Sequence, residues 1–244
     1  MMRRWHVAAV AVAAVVGLVA GLRASSQTVD ELIARNLESK GGLARMRAIQ
    51  TMKQTRRMNL QGMESPVVVY AKRPNMIRQE IAMGGRTVIM AYDGVTPWIV
   101  NPHTGQNAPI QVTGPQADAI RQDSDFDGPL VDYREKGLTI ELVGTEALGT
   151  AKVHHLKVIT KKGLVQHFYL DATTALEVKM VTETSDTTTI EQELTDYREV
   201  EGIKIPFVIR TLANGVKQGE VRLEKVEFNV KLDDAIFRMP KGGE

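Results

Sequence analysis

The sequence predicts a mainly β fold with accompanying helices: an incomplete, strongly curved antiparallel β-barrel of about eleven strands, with helices covering its concave face. Three observations carry this. Short runs of β-branched and apolar residues recur from 51 to 230, punctuated by Pro-Asn, Gly-Gly, Asp-Gly and Asn-Gly pairs. Helical patterns do not alternate with these runs, so the crossovers that parallel strands need are missing. The helical patterns that do occur lead the chain and break its middle, and they are amphipathic, so each needs a surface on which to lay its apolar stripe.

Taken in order, residues 1–26 read as an export signal. Arg3-Arg4 precede an apolar run from Val7 to Leu22, and Arg23-Ala24-Ser25-Ser26-Gln27 supply a small-residue exit. Ala24 and Ser26 fit cleavage before Gln27; cleavage after Ala24 is a second option. The rival reading is an uncleaved anchor, although the uncharged stretch from Trp5 to Leu22 is only 18 residues. Either way the body, 27–244, is expected as a single domain outside the cytoplasmic membrane.

Thr28-Val29-Asp30-Glu31 is a capping box, with Thr28 as N-cap and Glu31 three residues on. Leu32, Ile33 and Leu37 follow at near-helical spacing, and Gly41-Gly42 ends the helix. A second short helix is predicted from Leu43 to Ile49. Strands then follow at 51–60 and in a four-run meander over 67–102. After Gly114-Pro115 comes a helical stretch, 116–121, then an acidic loop, 123–129, expected to be exposed, and a short helix or turn at 130–137. The second set of strands is expected at 139–143, 152–160, 165–171, 176–184, 187–200, 203–212 and 218–230, with Asn214-Gly215 the strongest hairpin signal. Leu232 to Phe237 reads as one closing helical turn.

Composition narrows the function. At 43% hydrophobic and 25% charged, the chain is an ordinary globular one. Its net charge of +2 comes from the leader; without Arg3, Arg4 and Arg23 the body carries 28 basic against 29 acidic residues. Such a balance argues against a nucleic-acid partner. The absence of cysteine excludes disulfides, thiolate catalysis, Cys-ligated zinc and lipid modification of the chain itself.

Chemistry-bearing motifs are poor. His154-His155 lie side by side on a strand and point to opposite faces, so they do not suit one metal. Asp123, Asp125 and Asp127 alternate as at the start of a calcium loop, but Gly128-Pro129 and Arg134 at the twelfth position break the pattern. Gly84-Gly85-Arg86 and Gly41-Gly42 lack a strand–loop–helix context for phosphate. No G-x-S-x-G elbow is present, so a hydrolase has no footing. No cofactor, no metal and no enzymatic activity is expected.

What remains is an apolar wall. Val67, Val69, Ile77, Ile81, Met83, Met90 and Trp98 are assigned to the inward face, either as plain core or as the lining of an apolar ligand site. Two observations favour the site. Methionine is abundant, at 11 residues, and its adaptable side chain suits variable apolar ligands. Arg73 shares the face of Val67 and Val69, where a pure core would avoid a charge. An inward Arg73 needs acceptors, such as helix C-terminal carbonyls or a carboxylate, and would then tie a helix over the mouth of the sheet.

Lys72-Arg73-Pro74-Asn75, the Asp93-Gly94-x-Thr96-x-Trp98 turn with its Asn101-Pro102 exit, and the closing Asp234-Ala235-x-Phe237 before Pro240 resemble the periplasmic outer-membrane lipoprotein-sorting carriers, the LolA/LolB-like family, in order and spacing. The resemblance implies an incomplete β-barrel whose helix-covered cavity takes up acyl chains. It also implies that the arginine of the Arg-Pro-Asn motif, here Arg73, holds the helical lid by hydrogen bonds. Ile77 stands where these carriers often have an aromatic residue. The middle, 125–133, and Asp196-Tyr197 with Gly202-Ile203-Lys204-Ile205-Pro206, mark a divergent branch. The expected function is a monomeric carrier that binds lipoprotein acyl chains or other lipid and ferries them towards the outer membrane, with inner- and outer-membrane delivery partners. The alternatives are a lipid- or lipoprotein-sensing regulatory module of the same fold and, third, an esterase-like enzyme, which would need a Ser–His pair within hydrogen-bond reach.

Overall fold

A computed structural model describes residues 27–185 and 187–240. The export signal expected at 1–26 lies outside the described residues. Helix α1, Val29–Ser39, starts where its cap places it: the Thr28 backbone N–H donates to Glu31 Oε2 at 2.8 Å and the Glu31 N–H donates to Thr28 Oγ1 at 3.2 Å. Both satisfy donors the helix cannot. Thr28→Ala is expected to cost about 1 kcal/mol, read as a lower urea midpoint at unchanged slope.

α1 ends in a tight turn through Gly41 and Gly42, and α2, Leu43–Ala48, follows. Gly41 sits at φ +121°, and a Cβ there would meet the Gly202 carbonyl oxygen at 2.1 Å. Glycine lets the helical cover approach the sheet backbone at this point, where the Lys204 N–H also donates to the Lys40 carbonyl at 2.9 Å.

The strands are β1 Thr51–Leu60, β2 Met63–Lys72, β3 Met76–Met83, β4 Arg86–Tyr92, β5 Pro97–Asn101, β6 Gln106–Gln111, β7 Thr139–Leu148, β8 Ala151–Ile159, β9 Val165–Asp171, β10 Glu177–Ser185, β11 Thr188–Val200, β12 Ile203–Ala213 and β13 Val216–Phe228. Between β6 and β7 lie α3, Gly114–Asp123, and the hydrogen-bonded turns of 130–137. All the strands form one antiparallel 13-stranded sheet in the order β6-β5-β4-β3-β2-β1-β13-β12-β11-β10-β9-β8-β7. Two meanders are thus joined along β1 and β13, and β6 and β7 remain as free edges, so the strongly curved sheet does not close. Register shifts, such as the one beside Arg56 between β1 and β13, add bend. The expected architecture holds. The sheet has thirteen strands where about eleven were expected, and the strand that no expected span covers is β6, a polar segment without the alternation that marks its neighbours.

Three apolar clusters lie along the sheet. α1 buries Leu32 and Ile33 against Leu130, Leu156, Val158, Phe168 and Leu170. α3 buries Ala117 and Ile120 against Val67, Val69, Ile77, Tyr92 and Ile99. Between them Phe207, Leu223 and Val226 pack with Met52 and Val221 around the β1–β13 seam. The face that receives α1 and α3 is the concave one. α1 is also fixed by polar contacts at the β9–β10 turn: Asn36 Nδ2 donates to the Ala175 carbonyl at 2.8 Å, and Lys40 pairs with Glu177 at 2.7 Å.

Candidate functional site

The concave wall under α3 is built by cross-strand register. Val67 opposes Ile81, which opposes Val88; Gln79 opposes Met90, which opposes Ile99; Ile77 opposes Tyr92. Each rung points one way because strand side chains alternate. Val67, Val69 and Ile77 are filled over by α3 and are 5%, 2% and 6% exposed. Ile81, Met83 and Met90, with Val88 and Met58, keep solvent contact. The wall therefore has a deep half packed by the protein itself and an outer half open to water.

Trp98 does not belong to this wall. It opposes Ala91, whose next neighbour across the ladder is Arg78, so it lies on the outer face, and Ile99 takes the inward position. Its indole is fully buried by the C-terminal segment. Trp98 Nε1 donates to the Phe237 carbonyl at 2.8 Å, and Arg78 lies over the ring at 5.6 Å while donating to the Ile236 carbonyl at 2.8 Å. The inward assignment of Trp98 is corrected on this point: register places it opposite Ala91, on the outer face.

Arg73 is turned inward and bound to the cover. Nε donates to the Ile49 carbonyl at 2.6 Å and Nη2 to the Met46 carbonyl at 3.0 Å, both at the C-terminal end of α2. The same guanidinium forks onto Asp127, at 2.5 and 2.6 Å, and lies 4.5 Å from the Phe126 ring. One side chain at the β2–β3 turn thus holds both α2 and the loop after α3. Asp127 and its neighbours are not the exposed acidic loop expected: Asp125 is paired with Lys136, which also donates to the Gly128 carbonyl at 2.7 Å. The turns of 130–137 rest in turn on α1, through the Tyr133 hydroxyl donating to Asp30 at 2.9 Å, and on α2, through Arg47 and Asp132 at 2.7 Å. Helices and loop form one continuous cover. The signal for Asp127 was the need of an inward arginine for a carboxylate; the distance of 54 residues hid the partner.

Polar groups stand within the wall. Gln54 and Arg56 project from β1 on the concave face, next to Val69 and Val67 of β2, and Arg56 Nε donates to Gln54 Oε1 at 2.7 Å. Asp123, the last residue of α3, approaches Gln79 Nε2 at 3.5 Å. Desolvation pushes the Arg56 guanidinium down to about 10, opposed by the charge of Asp123. Desolvation likewise raises the Asp123 carboxyl, opposed by Arg56. Yet Arg56 is only half-buried and Asp123 is exposed. Both groups thus keep contact with water on the helix-covered face of the sheet.

The histidines lie away from the wall under α3, His154 on the face of Leu156 and Leu170 near α1 and His155 on the other face. His154 and His155 do face oppositely. His155 joins His167 at 2.7 Å, and the pair is flanked by Glu146 at 3.0 Å and Glu183 at 2.9 Å. Burial and the neighbouring His167 hold His155 below its usual range. Among the described residues no group of three or more His, Asp or Glu is arranged to hold a metal ion, and no serine hydroxyl bonds a histidine.

An incomplete β-barrel with helices over an apolar concave face is an open-barrel architecture, and the chain shares this fold with LolA-like solved structures at low identity. It is similar to a DUF1329 family protein from Desulfovibrio piger (TM-score 0.60, 13% identity, 87% of this chain and 98% of that one). It is also similar to a LolA superfamily protein from Nitrosomonas europaea (TM-score 0.59, 12% identity, 87% and 98%). A Vibrio parahaemolyticus domain described as an outer-membrane lipoprotein-sorting protein aligns at TM-score 0.57 and 13% identity, over 86% and 97%. No protein-family model and no curated sequence matches the chain.

Proposed function

We propose that this protein is a periplasmic carrier that takes the acyl chains of lipoproteins, or other lipid, into the recess between the concave wall and its helical cover and ferries them towards the outer membrane. It would work as a monomer that meets delivery partners at the inner and outer membranes, after export by residues 1–26. The observation that carries the reading is the Arg73 tie: one inward side chain joins the sheet to α2 and to the loop after α3, beside an apolar wall whose outer half stays open to water.

The energetics suit loading and release. Each methylene withdrawn from water contributes about 0.8 kcal/mol, so an acyl chain is held strongly. α3 already buries Ala117 and Ile120 on the deep half of the wall, and an entering chain would exchange with these contacts. The net cost of opening is then set by polar bonds worth about 1 kcal/mol each.

Native mass spectrometry of the exported protein is expected to show a bound lipid, and an apolar fluorophore is expected to brighten on binding. Met90→Gln, at a half-buried wall position that tolerates a polar group, is expected to weaken the fluorophore about tenfold. An exported protein that carries no lipid and binds no apolar probe sinks the reading.

A further inference from the structure

We propose that Arg56 binds the anionic head of an acyl-chain ligand, a carboxylate or a phosphate, inside the concave recess. This rests on the carrier reading above and narrows its ligand to amphiphiles with a negative oxygen group.

The position of Arg56 is the first argument. It stands in the central seam of the sheet, between Val67 on β2 and Leu223 on β13, which are 5% and 6% exposed. Three inward positions along from Val67, Arg73 has carboxylate and carbonyl acceptors; Arg56 does not. A guanidinium carries five donors in a fixed fork. Among the described residues its acceptor is the neutral Gln54 Oε1 alone, which takes both Nε and Nη2. Asp123 acts on it through charge, with no hydrogen bond or ion pair joining the two among the described residues.

The second argument is what a ligand would do there. An acyl chain laid along Val67, Ile81, Val88 and Met90 would exclude the water that now reaches Arg56. An uncharged chain would then leave a cation dehydrated with one neutral acceptor, which is costly. A ligand that brings a carboxylate or phosphate oxygen supplies the missing acceptor, and charge-assisted bonds of this kind are the strong ones. Asp123 is the nearby carboxyl whose charge such an anion would meet, and its raised pKa lowers the cost of neutralising it. The register shift beside Arg56 fits a side chain aimed away from the regular ladder.

The test is displacement of the neutral probe N-phenyl-1-naphthylamine from the full mature chain, at sub-micellar concentrations. Oleate is compared with methyl oleate, and oleoyl lysophosphatidate with monoolein. At least one acid is expected to displace the probe at about tenfold lower concentration than its neutral partner, and the pair that shows it identifies carboxylate or phosphate as the head. Arg56→Met is expected to bring that ratio to about one, and Arg56→Lys, which keeps a point charge without the fork, to an intermediate value. Arg57→Gln, on the opposite face and paired with Glu224, is expected to leave the ratio intact. Equal displacement by acids and neutral partners, or a ratio that survives both Arg56 changes, overturns the proposal and leaves the carrier reading standing. If neither acids nor neutral amphiphiles displace or bind, both are overturned.

Discussion

Arg73→Met is expected to lower the free energy of unfolding by about 3 kcal/mol or more and to speed the entry of an apolar probe. Methionine keeps much of the apolar stem, so the loss falls on the polar head, its stacking on Phe126 included. That head is 18% exposed and its partner Asp127 17%, so water screens the pair weakly. Without it, the Asp127 carboxylate is left half-enclosed and unpaired, and the Met46 and Ile49 carbonyls lose their donors. Breaking one side of such a pair is far worse than never having had it. Because the bonds join the sheet to α2 and to the loop after α3, the loss also favours the uncovered state. Probe association should therefore quicken as equilibrium stability falls.

Asp127→Asn separates the two halves of the latch. It removes the carboxylate but leaves Arg73 with two helix carbonyls, so the expected cost is smaller, about 1–2 kcal/mol. The double variant should cost clearly less than the sum, with a coupling above about 1 kcal/mol. Urea unfolding followed by circular dichroism gives the stabilities, and stopped-flow fluorescence gives the entry rate. A fully stable Arg73→Met protein, or additive single and double variants, would show that the cluster decorates the cover without holding it.

The architecture was legible because local signals agreed with one another. The Thr28–Glu31 capping box, the Gly41-Gly42 stop, the Asp-Gly and Asn-Gly turns and the alternation of β2 and β3 each fixed one element, and together they fixed a meander. Arg73 was legible for a sharper reason: within a single strand, parity with Val67 and Val69 decides its face, and a charge on that face demands partners. Parity does not carry across a turn, so it leaves the side of Trp98 undetermined until the β4–β5 register is known. Its true neighbour in space, Phe237, is 139 residues away in sequence. Asp127 and Arg56 were missed by related routes. The partner of an inward arginine cannot be found from spacing when it lies on a loop. The 51–60 run, rich in charged and polar residues, carries its meaning only once Val67 and Leu223 are known to flank Arg56.

Trp98→Ala is expected to cost about 3–5 kcal/mol, the range for deleting a large buried aromatic side chain. The corresponding fall in melting temperature is roughly 10 °C for a chain of this size. The indole is fully enclosed, and its loss empties the surface against which the C-terminal segment, with its buried Phe237, is held. Arg78 keeps its bond to the Ile236 carbonyl, and Lys72 its pairing with Asp234 at 2.5 Å, but both lie at the partly solvated rim. The segment should open locally before the sheet does, so amide exchange at Ala235 to Arg238 is expected to rise more than exchange in β2 or β3. Trp98→Phe keeps most of the volume and loses the Nε1 bond to the Phe237 carbonyl, for an expected cost of about 1–2 kcal/mol. Binding separates this outer-face role from a wall role. In Trp98→Phe, affinity for an apolar probe should stay within a factor of about two of the parent, because the concave rungs of Val67, Ile81 and Met90 are untouched. A Trp98→Phe protein of parental stability that binds the probe poorly would return Trp98 to the ligand wall.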